Sequence, residues 1–417
     1  MAPVLIALLG LTASAASAQD PKGTELRINP RVAGAQWLPD VATGADGRFV
    51  VVWKEGGATA NQTPVFVKAR IYDAAGRPRS GEIQVARLAP NAFGGPKVAM
   101  APNGRFVVVW GGGVENPGIV FGRRFAADGV PLGDRFQLAA STERGQDTPA
   151  VAMTPDGGFL TAWTQTVPGN AEVNTDVFLR RFGADGRPLG PETPATGGFE
   201  EQSEPRLAVR SNGDFIVVCQ TYSGEGLFYD VLARRFARSG TPLGDAFLVN
   251  GDGEAPELSQ LGPSVAMAAD GRFAIAWTDL GIDFGRDPSL HETEDYTGIG
   301  VRFFNAAGAP LGPPLAANIF LRGAQEAPAI SALQTGGFLL VWASGAGQDN
   351  DGFGIFARVF GADGQPRARE LRINLNRTGS QTSPALSLAP NGKGAAVWYG
   401  PDGNGTGIFS RLIGPPA

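Results

Sequence analysis

The heptapeptide GRFVVVW occurs at 47–53 and again at 104–110, and five degenerate copies follow. They read GGFLTAW at 157–163, GDFIVVC at 213–219, GRFAIAW at 271–277, GGFLLVW at 336–342 and GKGAAVW at 392–398. Seven copies at intervals of roughly 53 to 65 residues constrain the chain to a repeat architecture. The copies keep the same neighbours. A Pro precedes the Phe position by ten residues each time: Pro39, Pro96, Pro149, Pro205, Pro263, Pro328 and Pro384. Pro149 opens PAVAM, an apolar stretch, and a tight turn such as TPDG or APNG leads into the heptapeptide. A variable loop then leads to a third stretch such as VFLRRF, and a turn such as GADGRPLG to a fourth such as FLVN. The Asp-Gly and Asn-Gly pairs supply the positive φ that hairpin turns need. Apolar residues occupy both phases of the strands, so both sheet faces are covered.

Four antiparallel strands per unit of about fifty residues, seven times over, predict an all-β fold, a seven-bladed β-propeller. A closed ring buries the two apolar faces that a linear array would leave bare. The content of 60 Gly and 32 Pro suits many short strands and turns. The pentapeptide ELRIN stands at 25–29 and again at 370–374. The second copy is expected as the fourth strand of unit six. Unit seven has no fourth strand after GIFSRLIGPPA, so the copy at 25–29 is expected to complete that last blade. The predicted organisation is a signal peptide at 1–18 and a single propeller domain at 19–417.

Val4 to Leu11 is apolar but too short to span a bilayer, and Ala16-Ser17-Ala18 has the small-x-small form of a signal-peptidase site. No Lys or Arg precedes the apolar run. No other segment is long and apolar enough for a membrane span. A periplasmic or secreted protein is expected, and Cys219, the only cysteine, excludes an internal disulfide. The net charge of −5, with no blocks of Lys or Arg, argues against nucleic acid and anionic membranes as partners.

Comparing the units separates scaffold from chemistry, because a single catalytic site needs its residues once. Trp53, Trp110, Trp163, Trp277, Trp342 and Trp398 recur, with Cys219 in the same slot of unit four. They read as packing between blades. Arg70, Arg123, Arg180, Arg234, Arg302, Arg358 and Arg411 recur on the third strand, where stacking on a Trp or bonding to loop carbonyls is expected. A ring of Arg binding anions is the alternative. Gln36, Gln146, Gln202, Gln260, Gln325 and Gln381 lie three residues before the opening Pro, with Phe93 in unit two. They either tie neighbouring blades together or line a polar ligand face.

The second-to-third and unit-to-unit loops vary most and share one face of the disc, where function is expected. The outlier is unit five, whose loop DLGIDFGRDPSLHETEDYTGIG holds His291, the only histidine, with Glu292, Glu294, Asp295 and Tyr296. A carboxylate pair with Tyr suits a glycosidase or a lyase. A lone His argues against zinc, and a solvated acidic loop is the plainer reading. In units six and seven the same loop reads DNDGFGIFAR and DGNGTGIFSR. Asp349, Asp351, Asp402 and Asn404 thus offer oxygens to a calcium ion, the one cofactor considered, although closely spaced Asp and Asn also build plain turns.

The pattern QxxPxVAMxxDGxFVVVW, DGxGIFxxRF, GxPLGxEFxVN resembles repeats of large exported bacterial proteins that often sit beside calcium-binding adhesin or RTX-type modules. The resemblance covers nearly the whole mature chain and implies a seven-bladed propeller in an extracytoplasmic setting. The nonapeptide calcium array of RTX proteins and the S-x-D-x-G-x-T-W boxes of sialidases are missing. No catalytic triad, phosphate loop or zinc set can be assembled. The expected function is therefore an exported, monomeric, non-catalytic binding module presenting its loop face to a glycan or protein partner. The alternatives are a carbohydrate-active hydrolase or lyase using the unit-five acids, and a structural subunit of an envelope complex.

Overall fold

A computed structural model describes residues 20–414, apart from 32, 57–63, 89–91, 93, 115, 117, 143–144, 168–173, 198–200, 223–227, 252–258, 281–296 and 346. The predicted signal peptide, Phe93 and the unit-five acids lie outside the described residues. The described residues form 28 strands and no helix, in five antiparallel sheets of four and one sheet of eight, in which units seven and one join through a short parallel contact at Gly34–Ala35 and Gly405–Thr406; this all-β layout is consistent with a β-propeller. Among the described residues no helix is long and apolar enough to cross a membrane.

Each heptapeptide forms the second strand of its sheet. Unit three shows the order: Gln146–Met153, Phe159–Val167, Asn174–Phe182 and Thr193–Pro194 pair consecutively. The second strands have every residue of their cores buried, as both-face coverage requires. The six repeating Trp and Cys219 are at most 1% exposed. Burial pushes the Cys219 thiol up to about 12, so this sulfur is a small packing group without thiolate chemistry.

The fourth strands are shorter than the sequence suggests: Phe136–Gln137, Phe247–Leu248 and Leu371–Arg372 pair over two residues each. A side chain takes over where the ladder ends. Asn374 Oδ1 accepts the Ile355 N–H at 2.8 Å, and Asn374 Nδ2 donates to Gln381 Oε1 at 2.8 Å. Asn318 does the same between Ile299 and Gln325, Asn250 between Val231 and Gln260, and Asn29 between Ile408 and Gln36. The fourth strand thus leaves the sheet early without orphaning the third.

The N-terminal strand, Asp20–Arg27, pairs antiparallel with the last strand, Gly405–Gly414, and starts earlier than the pentapeptide. Every residue of ELRIN except Leu makes the same contact in both copies. Glu25 accepts from the N–H groups of Leu375 and Asn376, as Glu370 does from Ile319 and Phe320. Arg27 pairs with Asp402 as Arg372 does with Asp349. Ile28 and Ile373 are fully buried, and Asn29 and Asn374 hold the Gln. The first strands of successive units touch in order, and that of unit seven (Thr382–Leu388) touches that of unit one (Gly34–Thr43).

The recurrent Arg explains how units join. Each guanidinium donates through one terminal nitrogen to a fourth-strand carbonyl of the preceding unit, at 2.8 to 3.4 Å. For Arg70 that carbonyl belongs to Ile28, across the junction of the chain ends. The expected bonding to carbonyls is present, but the ring beneath the guanidinium is not a Trp. It is Tyr72 or a Phe two residues along the same strand, 5.6 to 5.8 Å away in six units, because alternation puts residues i and i+2 on one face.

Candidate functional site

The opening Pro of each unit sits just after a β-bulge. In six units the ladder skips there, for example between Asp147 and Ala150 and between Ser203 and Arg206. The residue before the Pro takes up the distortion. Leu38, Thr148, Glu204, Ala327 and Ser383 all have φ between 41° and 54°, and Gly262 has 56°. A side chain in that region costs about 1–3 kcal/mol. The turn aims the backbone N–H sideways at the neighbouring unit. Glu204 N donates to Thr164 Oγ1 at 3.3 Å, Gly262 N to Gln220 Oε1 at 3.2 Å and Ala327 N to Thr278 Oγ1 at 3.0 Å. All six of these residues line one central cavity of about 450 Å³, to which every first strand contributes.

The residue after the Pro forms the next ring. It is small in four units, as Ala150, Ser264, Ala329 and Ala385, and charged in three, as Asp40, Lys97 and Arg206. A scaffold position would repeat, so these departures mark the cavity as the place where the chain is not merely building a ring. Lys97 Nζ stands 4.0 Å from Asp40 Oδ1, and Arg206 3.8 Å from Glu204 Oε2. Asp40 Oδ2 accepts the Val98 N–H at 2.8 Å. Burial among the first strands raises the Asp40 carboxyl against the pull of Lys97, and lowers the Lys97 ammonium against the pull of Asp40.

A carboxylate couple stands beside this ring. Asp147 and Glu204 come from adjacent units, and both are half-buried. The Asp147 carboxyl lies above the usual carboxylate range, chiefly through burial and further through the charge of Glu204, while Thr148 Oγ1, donating at 3.1 Å, opposes the rise. Thr148 is held in turn by Thr164 Oγ1 at 2.7 Å. Glu326 occupies the Asp147 position in unit six, and burial raises it too. A larger groove, about 510 Å³, lies between the short turns of units one and two. Its Asp46, Asp73 and Asp128 accept N–H groups of their own turns, which accounts for them structurally.

The other sequence candidates fall elsewhere. Five of the six Gln accept at Oε1 from the preceding fourth strand's end, an Asn in four units and Thr196 in unit four. Gln146 accepts directly from Val120 N at 3.4 Å. All six are at most 3% exposed and serve as ties between units. Asp349 is fully buried; one oxygen takes Arg372 and the other Asn374, each at 2.7 Å. Asp402 pairs with Arg27 and accepts from Asn404 N, while Asp351 accepts from Gly379 N at 3.0 Å. Arginine thus pairs with two of the four calcium candidates, Asp349 and Asp402. EDTA is expected to leave the Tm unchanged, whereas Asp349→Ala should cost about 2–4 kcal/mol by stranding Arg372. A calcium-dependent Tm in a thermal scan would contradict this assignment.

Lys54 occupies the slot that Thr164, Gln220 and Thr278 fill in later units, and being donor-only it reaches the Ala92 carbonyl at 2.7 Å. Burial lowers its ammonium to about 8. The unfolded value is higher, so below pH 8 both states are charged and burial is fully penalised. From pH 8 to about 10.5 only the unfolded state keeps the proton, and stability rises with pH. Lys54→Met is expected to be the more stable protein at pH 7, by about 1 kcal/mol or more. Its advantage should shrink at pH 10, as read by denaturant midpoints.

Neither a family model nor a curated protein matches the chain. Solved structures share its fold. A protein of unknown function from Dyadobacter fermentans superposes with a TM-score of 0.55 at 12% identity, over 94% of this chain and 98% of that one. A polysaccharide lyase gives 0.55 at 10% identity, over 95% and 100%. An α-L-arabinofuranosidase from Fusarium graminearum, solved with an iminosugar inhibitor, gives 0.51 at 10% identity, over 94% and 98%. At these identities the likeness is one of fold. It corrects the expectation of a non-catalytic binding module. That expectation rested on missing triads and zinc sets, and a fold of this kind, over nearly its full length, is found in a polysaccharide lyase and an arabinofuranosidase.

Proposed function

We propose that the chain is a carbohydrate-active enzyme, a hydrolase or lyase, working at the central cavity of a seven-bladed propeller. The Asp147–Glu204 couple carries the reading. Two neighbouring carboxyl groups, one of them raised by burial and by its partner's charge, divide the roles of acid and base. Asp147, whose carboxyl is raised, gives its proton to the leaving glycosidic oxygen. Glu204 takes a proton from the attacking water in hydrolysis, or from the sugar carbon in elimination. The loop acids Glu294 and Asp295, with His291, Glu292 and Tyr296, are the second acid–base set the sequence offers.

The seven-blade reading is supported by 28 strands in five sheets of four and one of eight, and ring closure by the pairing of the N-terminal strand with the last one and by the Arg70–Ile28 bond. A single domain at 19–417 and export to the periplasm or beyond fit a polysaccharide substrate, as does a monomer acting alone. The test is turnover of a polysaccharide panel, neutral arabinans and acidic polysaccharides together, followed by new reducing ends. Release from at least one substrate is expected. Activity retained in Asp147→Asn and Glu204→Gln but lost in Glu294→Gln or Asp295→Asn would move the acid–base pair to the unit-five loop.

A further inference from the structure

We infer that the central cavity takes an anionic sugar unit, its negative group held between Lys97 and Arg206, so that the substrate is an acidic glycan. This rests on the carbohydrate-active reading and names its substrate class. The two cations come from units two and four, and the unit between them contributes only Ala150 to the same ring. Between them the wall is therefore small and open.

Neither cation has all of its donors taken up by the protein. Lys97 Nζ makes no hydrogen bond among the described residues; its nearest carboxylate oxygen is the 4.0 Å contact to Asp40, whose other oxygen is committed to Val98. Arg206 spends one terminal nitrogen on the Pro205 carbonyl at 3.0 Å and the Glu204 carbonyl at 3.5 Å. Its other terminal nitrogen reaches Glu204 only at 3.8 Å. Ammonium and guanidinium groups are strong donors, and leaving them without close acceptors in a half-buried site is costly. Asp40 and Glu204 favour the Lys97 charge while Arg206 acts against it, so the two cations sense one another across the cavity. An anion placed between them relieves that repulsion and supplies the missing acceptors.

Carboxylate and sulfate on a sugar share this chemistry, and separate ligands tell them apart. The full-length Asp147→Asn variant would be titrated calorimetrically with a uronate oligosaccharide, its carboxyl-reduced neutral form, and a sulfated neutral oligosaccharide. The uronate or the sulfated ligand is expected to bind at least about tenfold tighter than the neutral one. Lys97→Met and Arg206→Met should each erase that preference, and Lys97→Arg should keep it. Equal binding of neutral and anionic ligands, or a preference that survives both Met variants in folded protein, overturns the inference and leaves the glycan reading standing. No binding of any oligosaccharide by folded protein overturns both.

Discussion

A chain lacking residues 20–29 is expected to lose the cooperative unfolding transition of the full protein. The N-terminal strand supplies the fourth strand of the last sheet, and its removal orphans groups on both sides of the junction. Ile28 O accepts from Arg70 at 3.0 Å and from the Tyr72 hydroxyl at 2.7 Å. Asn29 satisfies Ile408 N and Gln36, and Arg27 neutralises Asp402. Each buried group left unpaired costs about 1–3 kcal/mol, and several together approach the whole stability of a domain. A finer version replaces Ile28, which is fully buried, with Asp. A carboxylate there should cost several kcal/mol. Asn29→Ala and Asn374→Ala break the same two bonds at the junction and inside the ring. Similar denaturant midpoints for these two would show the junction to be as tight as an ordinary interface. A wild-type midpoint for Ile28→Asp would contradict the locking role.

The second large effect concerns chemistry. Asp147→Asn and Glu204→Gln should each lower kcat by about 10²–10⁴, the range of a lost general acid or base. Tm should hold, because neither carboxylate is a principal tie in the scaffold: Glu204 joins its neighbour through backbone N–H, which Gln retains. The pH profile separates the roles. Activity limited by a protonated Asp147 falls as pH rises through its raised value, and Asp147→Asn loses that limb. A uniform drop in kcat together with a lowered Tm would point to structural damage instead.

Much of the scaffold was legible because the chain states it seven times. The four-strand unit, the Trp slot with Cys219, the carbonyl-bonding Arg and the role of ELRIN at both ends all followed from comparing copies. The stacking partner of the Arg was missed, since adjacency in the sheet is set by i and i+2 on one strand. The Asn that ends FLVN and ELRIN was visible as a recurrence, but its double bond to the third strand and the Gln depends on where the ladder stops. The site was harder to see because its signal is the opposite one, a failure to repeat. Asp40, Lys97 and Arg206 stand where other units carry Ala or Ser, and only the packing of the first strands brings units one, two and four to one cavity. The left-handed residues before Pro leave no compositional trace, since Leu, Thr, Glu, Ala and Ser all occur there. Asp349 and Asp402 looked like metal ligands because their Arg partners lie 23 and 375 residues away.

The most direct measurement is glycan cleavage by purified full-length protein, with Asp147→Asn and Glu204→Gln assayed alongside. Cleavage of one polysaccharide class by the wild type, abolished in both variants at unchanged Tm, is the expected result. Full turnover in both variants, or no cleavage of any glycan by folded wild-type protein, would contradict the assignment of the central cavity as the active site.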